Sequence, residues 1–252
     1  MEKHETFFDT LSIEEPLEIR LLQGNESHPV SVTMRTPGYD AELAIGFCFT
    51  EGIIKQKTDV VAISQSGDNS FTLELEASVP VSPATLARNF YTTSSCGVCG
   101  KASIDSIRVM HTAIESNIQI GATILRQLPE LARPSQANFI QTGGSHASSL
   151  FTAEGKLLLT REDVGRHNAL DKVIGHCLLN GVKMNHSILL VSGRASFELI
   201  QKAAVAGIPV VAAIGAPSSL AVELAMESGI TLVGFLKADR FNIYSHPNRI
   251  IL

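Results

Sequence analysis

Apolar and polar residues alternate in the first part of the chain. Residues 16–23 and 29–35 both place apolar side chains at every second position, which predicts two strands of a hairpin. Asp40 is a residue type that can cap a helix, and an apolar helical stretch follows it. Residues 60–64 and 71–77 alternate in the same way around a glycine-containing turn. The pattern therefore predicts a β-rich N-terminal part with one helix.

Beyond residue 137 the apolar residues form continuous runs. Residues 187–192, 208–214 and 230–236 are apolar throughout, as expected of parallel strands that are buried on both faces. Residues 196–206 and 218–228 have helical periodicity, and a glycine follows each of them. The alternation of strands and helices predicts a layered α/β sheet.

Shorter elements lead into this region. Residues 138–141 and 148–152 are interpreted as strands that flank Gly143-Gly144, and residues 156–160 pair back across a turn. Residues 166–179 have helical periodicity and end before Asn180-Gly181.

The predicted organisation is α/β (α+β) with two parts. A layered mixed sheet with helices covers residues 135–252, and a smaller β-rich part covers residues 1–134, with the boundary at residues 131–135. Residues 82–90 are a further short candidate helix in the smaller part.

Composition limits the classes of function. The chain has 252 residues, is 44% hydrophobic and carries a formal net charge of -5, so it lacks the basic surface expected for nucleic-acid binding. No apolar run has the length of a membrane span, and no signal peptide is visible, so we expect a cytoplasmic protein. An anionic ligand would have to be bound by a few local Arg or Lys residues.

Cys96 and Cys99 form a Cys-x-x-Cys surrounded by glycines and small polar residues, with Lys101 nearby. Such surroundings can lower the pKa of a thiol. Disulfide exchange, half of a metal site and carriage of sulfur as a persulfide all suit this pair. Cys48 and Cys177 lie in apolar stretches and are interpreted as small core residues.

Four polar loops are predicted at the carboxyl ends of strands, where α/β sheets bind ligands. They comprise residues 142–146, 161–168, 192–196 and 237–242. The predicted strand order places four basic residues of these loops at this edge, namely Arg166, Arg194, Lys237 and Arg240. Four such loops at one edge favour a binding site for an anionic ligand.

The loop of residues 161–168 carries the most functional groups. Glu162 and Asp163 could accept hydrogen bonds from a base edge or could fix an arginine. Arg166, His167 and Asn168 lie at a predicted helix N-terminus, which favours an anion. A helix cap with a salt bridge explains this segment equally well.

His146 introduces a zinc alternative. Together with Cys96 and Cys99 it could form a Cys₂His site like that of zinc-dependent deaminases. Those enzymes carry a Glu two residues after the ligand His and a Pro before the Cys pair. Here Ser148 and Ser95 occupy these positions, which makes a zinc-dependent hydrolase the weaker hypothesis.

Several motifs together resemble the FdhD family of formate dehydrogenase accessory proteins. The resemblance extends over nearly the whole chain, in the family's order, and is carried by residues 93–101 (TSSCGVCGK), 142–147 (TGGSHA), 162–172 (EDVGRHNALDK), 192–194 (SGR) and 234–244 (GFLKADRFNIY).

This resemblance implies a sulfurtransferase with a cytidine-deaminase-like larger domain that lacks zinc. Sulfur would come from a cysteine desulfurase and pass to the molybdenum cofactor, bis(molybdopterin guanine dinucleotide), before the cofactor enters formate dehydrogenase. Cys96 corresponds to the family's persulfide cysteine and Cys99 to its partner. The family's cofactor-binding stretch corresponds to Phe235, Leu236, Lys237, Ala238, Asp239 and Arg240. The family also implies a homodimer.

Overall fold

The computed structural model describes residues 7–80 and 112–252. Cys96, Cys99 and the candidate helix of residues 82–90 lie outside these ranges. In chain order the elements are β1 (Glu15–Gln23), β2 (Glu26–Arg35), α1 (Asp40–Thr50), β3 (Val60–Gln65), β4 (Ser70–Leu75), β5 (Ile120–Gly121), α2 (Ala122–Ala132), α3 (Ala137–Thr142), β6 (His146–Thr152), β7 (Leu157–Asp163), α4 (Arg166–Asn180), β8 (Ser187–Val191), α5 (Phe197–Val205), β9 (Val210–Ala213), α6 (Ser219–Glu227), β10 (Thr231–Gly234), β11 (Asn242–Ser245) and β12 (Ile250–Ile251). Within the described ranges, no helix combines the length and apolarity needed to cross a bilayer.

The N-terminal strands form a four-stranded sheet in the order β2-β1-β4-β3. The two predicted hairpins are present, and β1 joins them by pairing parallel to β4. Leu17, Ile19 and Leu21, at alternate positions of β1, are fully buried in a core that also contains Leu43 and Ile45 of α1. The period-two pattern of β1 therefore marks the face that α1 covers.

Asp40 does not cap α1, contrary to the sequence-based prediction. Tyr39 occupies the N-cap position with φ 59°, and Asp40 is the first helical residue. Its two carboxylate oxygens accept hydrogen bonds from Nε and Nη2 of Arg35, both at 3.0 Å. Arg35 is 1% exposed. The Asp40 carboxylate pairs with Arg35 and does not cap the helix, because a buried guanidinium requires a charged partner.

The larger sheet has six strands in the order β11-β10-β9-β8-β6-β7. Strands β8, β9 and β10 are parallel, whereas β6 runs antiparallel to both β7 and β8. Leu189 and Val191 of β8 belong to the core that includes α4, α5 and α6. Ile188 and Leu190 belong to the core on the other face, which includes α2. Burial on both faces explains the continuous apolar runs, and the predicted mixed α/β fold is confirmed.

Residues 138–141 form a helix rather than the predicted strand. They belong to α3, which ends at Gly143 with φ 65°. The Glu162 carboxylate accepts hydrogen bonds from the backbone N–H groups of Asn138 and Phe139, at 2.9 and 2.8 Å. A carboxylate distant in sequence thus stabilises the first turn of α3, and no local pattern indicates it.

Helix α2 precedes the predicted boundary at residue 134 but packs on the six-stranded sheet. Leu125 and Leu128 share a core with Ile188 and Leu190 of β8. Strand β5, directly before α2, pairs parallel to β12 at the end of the chain. The division into residues 1–134 and 135–252 stays a prediction.

Helices α1 and α4 cross closely and connect the two sheets. A Cβ atom at Gly46 would collide with the backbone carbonyl of Asp171, and one at Gly175 would collide with that of Glu42. Beside this crossing, Lys202 Nζ lies 2.9 Å from the Asp171 carboxylate and 2.8 Å from the hydroxyl oxygen of Thr50. The connection therefore combines backbone contact with a buried ion pair.

Candidate functional site

The four predicted loops meet at one edge of the six-stranded sheet. Residues 192–196 follow β8 and residues 237–242 follow β10, both at the carboxyl ends of parallel strands. Residues 142–146 follow helix α3 and enter β6, which is antiparallel to β8, so they reach the same edge from the opposite direction. Residues 161–168 reach it at the end of β7.

Backbone hydrogen bonds hold these loops together. The N–H of Gly215 donates to the carbonyl of Gly193 at 3.0 Å, and the N–H of Phe235 donates to the carbonyl of Gly215 at 3.0 Å. A Cβ atom at Gly215 would lie 3.0 Å from the backbone of Arg194. Glycine thus permits the close approach of neighbouring loops.

A cavity of about 580 Å³ lies at this edge, a volume typical of small-molecule sites. Its apolar lining includes the buried Leu190 and Leu236, and its polar groups include Ser145, His146 and Ser192. The remaining lining residues are Pro129, Glu130, Arg133, Gln136, Phe139, Gly143, Gly144, Ala147, Ser149, Val164, Ile214, Lys237 and Ala238. A lining that combines apolar and polar groups suits a polar ring system.

His146 lies in the cavity wall. Burial, together with the positive charge of Arg166, lowers the pKa of His146. The backbone N–H of Ala147 donates to Ser192 Oγ at 2.9 Å, and the same oxygen lies 3.4 Å from His146 Nδ1. The Ser192 hydroxyl can therefore donate to Nδ1, which would leave the Nε2–H as a donor. In residues 7–80 and 112–252, no three His, Cys, Asp or Glu side chains cluster in a way that could hold a metal ion.

Glu162 and Asp163 are both engaged within the protein. Besides the two N–H groups of α3, Glu162 accepts a hydrogen bond from Ser145 Oγ at 2.9 Å. Asp163 is 0% exposed and lies 2.7 Å from Nζ of the buried Lys172. Asp163 also accepts from the backbone N–H of Gly165 and from Nδ2 of Asn168. These contacts fix the loop between β7 and α4.

Arg166 and His167 begin helix α4 beside this loop. Nε of Arg166 is buried and has no hydrogen-bond partner in the described part of the chain. His167 Nε2 lies 3.4 Å from Ser196 Oγ and 3.8 Å from the Glu198 carboxylate. With respect to residues 7–80 and 112–252, Arg166 therefore retains an unused donor next to the predicted anion site.

The stretch of residues 235–240 crosses the cavity rim. Phe235 has φ 52° and is 44% exposed, whereas Leu236 is 1% exposed. The backbone N–H of Lys237 donates to the carbonyl of Arg240 at 2.9 Å and closes a turn. Lys237 and Ala238 line the cavity, whereas Asp239, Arg240 and Arg194 are exposed outside its lining.

Sequence reasoning did not identify the opposite wall of the cavity. Glu130, Arg133 and Gln136 belong to α2 and the turn after it, and Phe139 belongs to α3. The sequence places Arg133 and Pro134 only in the predicted boundary of residues 131–135. No motif marks these residues, because the packing of α2 on the sheet brings them to the cavity.

The fold and the site define a mixed α/β protein with a ligand-sized cavity at the carboxyl ends of its parallel strands. The FdhD/NarQ family model matches residues 12–251, and the chain belongs to this family. It is 48% identical to the sulfur carrier protein FdhD of Streptomyces coelicolor, covering 97% of this chain and 90% of the relative. It is 50% identical to that of Mycolicibacterium paratuberculosis, covering 96% and 92%.

A solved structure has the same fold. A crystal structure from Desulfotalea psychrophila, described as that of a formate dehydrogenase accessory protein, matches with a TM-score of 0.79 and 26% identity. The match covers 96% of this chain and 92% of that chain. The resemblance found in the sequence motifs is thus confirmed.

Proposed function

We propose that this protein is a sulfurtransferase that carries sulfur for formate dehydrogenase, with Cys96 as the carrier. Family membership over residues 12–251 and the names of the relatives support the sulfur-carrier role. The observation that carries the choice of residue is the burial of the two cysteines that the structure describes.

Cys48 and Cys177 are unsuited to sulfur chemistry. They are 0% and 1% exposed. Burial raises the pKa of Cys177 to about 12 and raises the pKa of Cys48 further above its ordinary range. Because sulfur exchange requires a thiolate, the role falls to Cys96 and Cys99.

The proposed chemistry is thiol exchange without a metal. The Cys96 thiolate attacks the outer sulfur of a persulfide on a cysteine desulfurase, so that Cys96 gains one sulfur and the desulfurase regains its thiol. Cys99 can then attack the inner sulfur of the Cys96 persulfide. That attack forms a disulfide and expels hydrosulfide at the acceptor.

The proposed acceptor is the molybdenum cofactor, bound at the sheet edge as a substrate. Lys237 and Ala238 line the cavity, and Arg166 offers a buried donor that no described residue uses. These residues therefore suit the pyrophosphate of a guanine dinucleotide. Arg194, Asp239 and Arg240 are exposed at the same edge. Within this proposal Glu162, Asp163 and Asn168 act by fixing the loop, and His167 by its position beside Ser196.

Mass spectrometry tests the carrier role. The protein is incubated with a cysteine desulfurase and cysteine, and we expect one added sulfur atom on the peptide that contains Cys96. Cys96→Ala should abolish the increment, whereas the control Cys48→Ala should keep it. A metal assay on the same sample tests the alternative. Stoichiometric zinc held by Cys96, Cys99 and His146 would overturn the carrier proposal.

The family resemblance also implies a homodimer, and the sequence itself predicts a cytoplasmic protein. Sedimentation of the purified protein would test the dimer. Both properties stay predictions.

A further inference from the structure

The cavity has a second wall that the motifs do not include. It consists of the end of α2, the turn after it and the start of α3, and it presents Glu130, Arg133 and Phe139. A smaller cavity of about 430 Å³ shares these three residues. The wall therefore borders two neighbouring cavities, and the larger one is also lined by residues 236–238.

Glu130 is the carboxylate of this wall that remains available to a ligand. It is exposed, and no hydrogen bond or ion pair joins it to another residue in the described ranges. Three other carboxylates are expected from the sequence to contact a base. Glu162 is occupied by protein donors, Asp163 is fully buried, and Asp239 is exposed outside the cavity lining.

Phe139 gives the wall an aromatic surface next to Glu130. Its side chain is 38% exposed, so part of the ring is open to a ligand. Its backbone N–H donates to Glu162 at 2.8 Å, which fixes the start of α3. A planar base can stack on such a ring because each presents a π-face.

The charges of the cavity fit one nucleotide. Arg133 and Lys237 both line the cavity and supply its positive charge. A volume of about 580 Å³ suits one base with its phosphate-bearing sugar, not a whole bis(dinucleotide) cofactor. The cavity would therefore hold one nucleotide end of the acceptor.

We propose that Glu130 selects guanine at this site by accepting hydrogen bonds from the base edge. The inference rests on the proposed function, because it specifies the residue that recognises the cofactor's nucleotide. Guanine presents two adjacent donors, N1–H and the 2-amino group, and an ionised carboxylate only accepts. Adenine presents an acceptor at N1, which a carboxylate would repel.

Calorimetry with GDP, IDP and ADP tests this assignment. IDP keeps the N1–H but lacks the 2-amino group, so it removes one of the two proposed bonds. We expect wild-type protein to bind GDP about tenfold more tightly than IDP, and ADP more weakly still. In Glu130→Gln the preference for GDP over ADP should fall to less than about threefold. The control Glu223→Gln makes the same change on the exposed face of α6 and should retain the wild-type order.

The possible outcomes separate the two proposals. A preference for GDP that is unchanged in Glu130→Gln would overturn the role of Glu130 and leave the nucleotide site in place. Failure of the wild type to bind any of the three nucleotides would overturn both the site and the role of Glu130. Mass spectrometry would then still decide the carrier role of Cys96 separately.

Discussion

At the scale of single residues, burial separates the thiols by reactivity. Cys48 belongs to the core around α1, and Cys177 belongs to the core around α4. Desolvation disfavours the thiolate at both positions, so neither resembles the exposed nucleophile that sulfur carriage requires. The apolar neighbours of Cys48 and Cys177 in the sequence predict that both are small core residues, and their burial confirms this prediction.

Alkylation would measure this separation. We expect iodoacetamide to modify Cys96 and Cys99 in the folded protein and to leave Cys48 and Cys177 unmodified, because thiolate is the reacting form. Peptide mass spectrometry before and after unfolding in urea would count the modified sites. Rapid modification of Cys177 under native conditions would contradict its burial.

Glu42 links α1 to β7 and α4 and makes stability depend on pH. Burial alone would raise the pKa of Glu42, but hydrogen bonds from Arg161 and His176 outweigh it and lower the pKa below 4.5. The Arg161 contacts, from Nε and Nη2, are 2.6 and 2.9 Å long. The stabilisation is therefore present above pH 4.5 and is lost as the pH falls through the folded-state pKa.

Glu42→Gln should accordingly make the free energy of unfolding less dependent on pH in the acidic range below pH 4.5. Urea unfolding at a series of pH values would show the change in slope. Glu74→Gln, at an exposed position of β4, should keep the wild-type slope. An identical slope in Glu42→Gln and wild type would refute the prediction.

At the level of secondary-structure elements, sequence patterns predict a strand or helix correctly where the residues of that element themselves determine its conformation. The runs of β8, β9 and β10 are apolar because both faces are buried, so their assignment was correct. The prediction of a strand at residues 138–141 was wrong, because Glu162 of strand β7 stabilises the first turn of helix α3 there. A contact across more than twenty positions leaves no trace in local periodicity.

The crossing of α1 and α4 depends on two glycines. Gly46→Ala should destabilise the protein by about 3 kcal/mol or more, because the added methyl meets the rigid backbone of α4 and overrides the gain in helix propensity. Thermal unfolding followed by circular dichroism would measure the loss. Gly121→Ala is the matched control, since its methyl would lie 3.9 Å from Ile124, and it should change stability by less than about 1 kcal/mol.

At the scale of the whole molecule, the site is assembled from distant parts of the chain. The loops of residues 142–146, 161–168, 192–196 and 237–242 are predicted from the sequence to meet at one sheet edge, and the structure places them there. They form one side of the cavity, with Ser145, Ser192 and Lys237 in its lining. The other side comes from α2 and α3, which reach the cavity only through packing on the six-stranded sheet. Glu130 and Phe139 could not be predicted because nothing in their local sequence indicates that packing.

Fragments would test the contribution of α2 to the larger domain. We expect residues 112–252 to show a cooperative thermal transition and residues 135–252 to show none, because loss of α2 exposes Ile188 and Leu190 on one face of the sheet. Circular dichroism and binding of a hydrophobic dye would compare the two. Equal cooperativity of both fragments would instead support a boundary at residue 134.

Phe235, at the cavity rim, has a backbone conformation that lowers the stability of the folded protein. Its φ of 52° is a backbone conformation that costs an ordinary residue about 1 kcal/mol relative to glycine, and its ring is 44% exposed. Phe235→Gly should therefore raise the melting temperature. Because the more flexible glycine would directly precede Leu236 and Lys237, which line the cavity, it should also weaken GDP binding measured by calorimetry. Laboratory selection for heat resistance alone would favour glycine here. Retention of an aromatic ring at position 235 under selection for activity would therefore support its part in binding the proposed substrate.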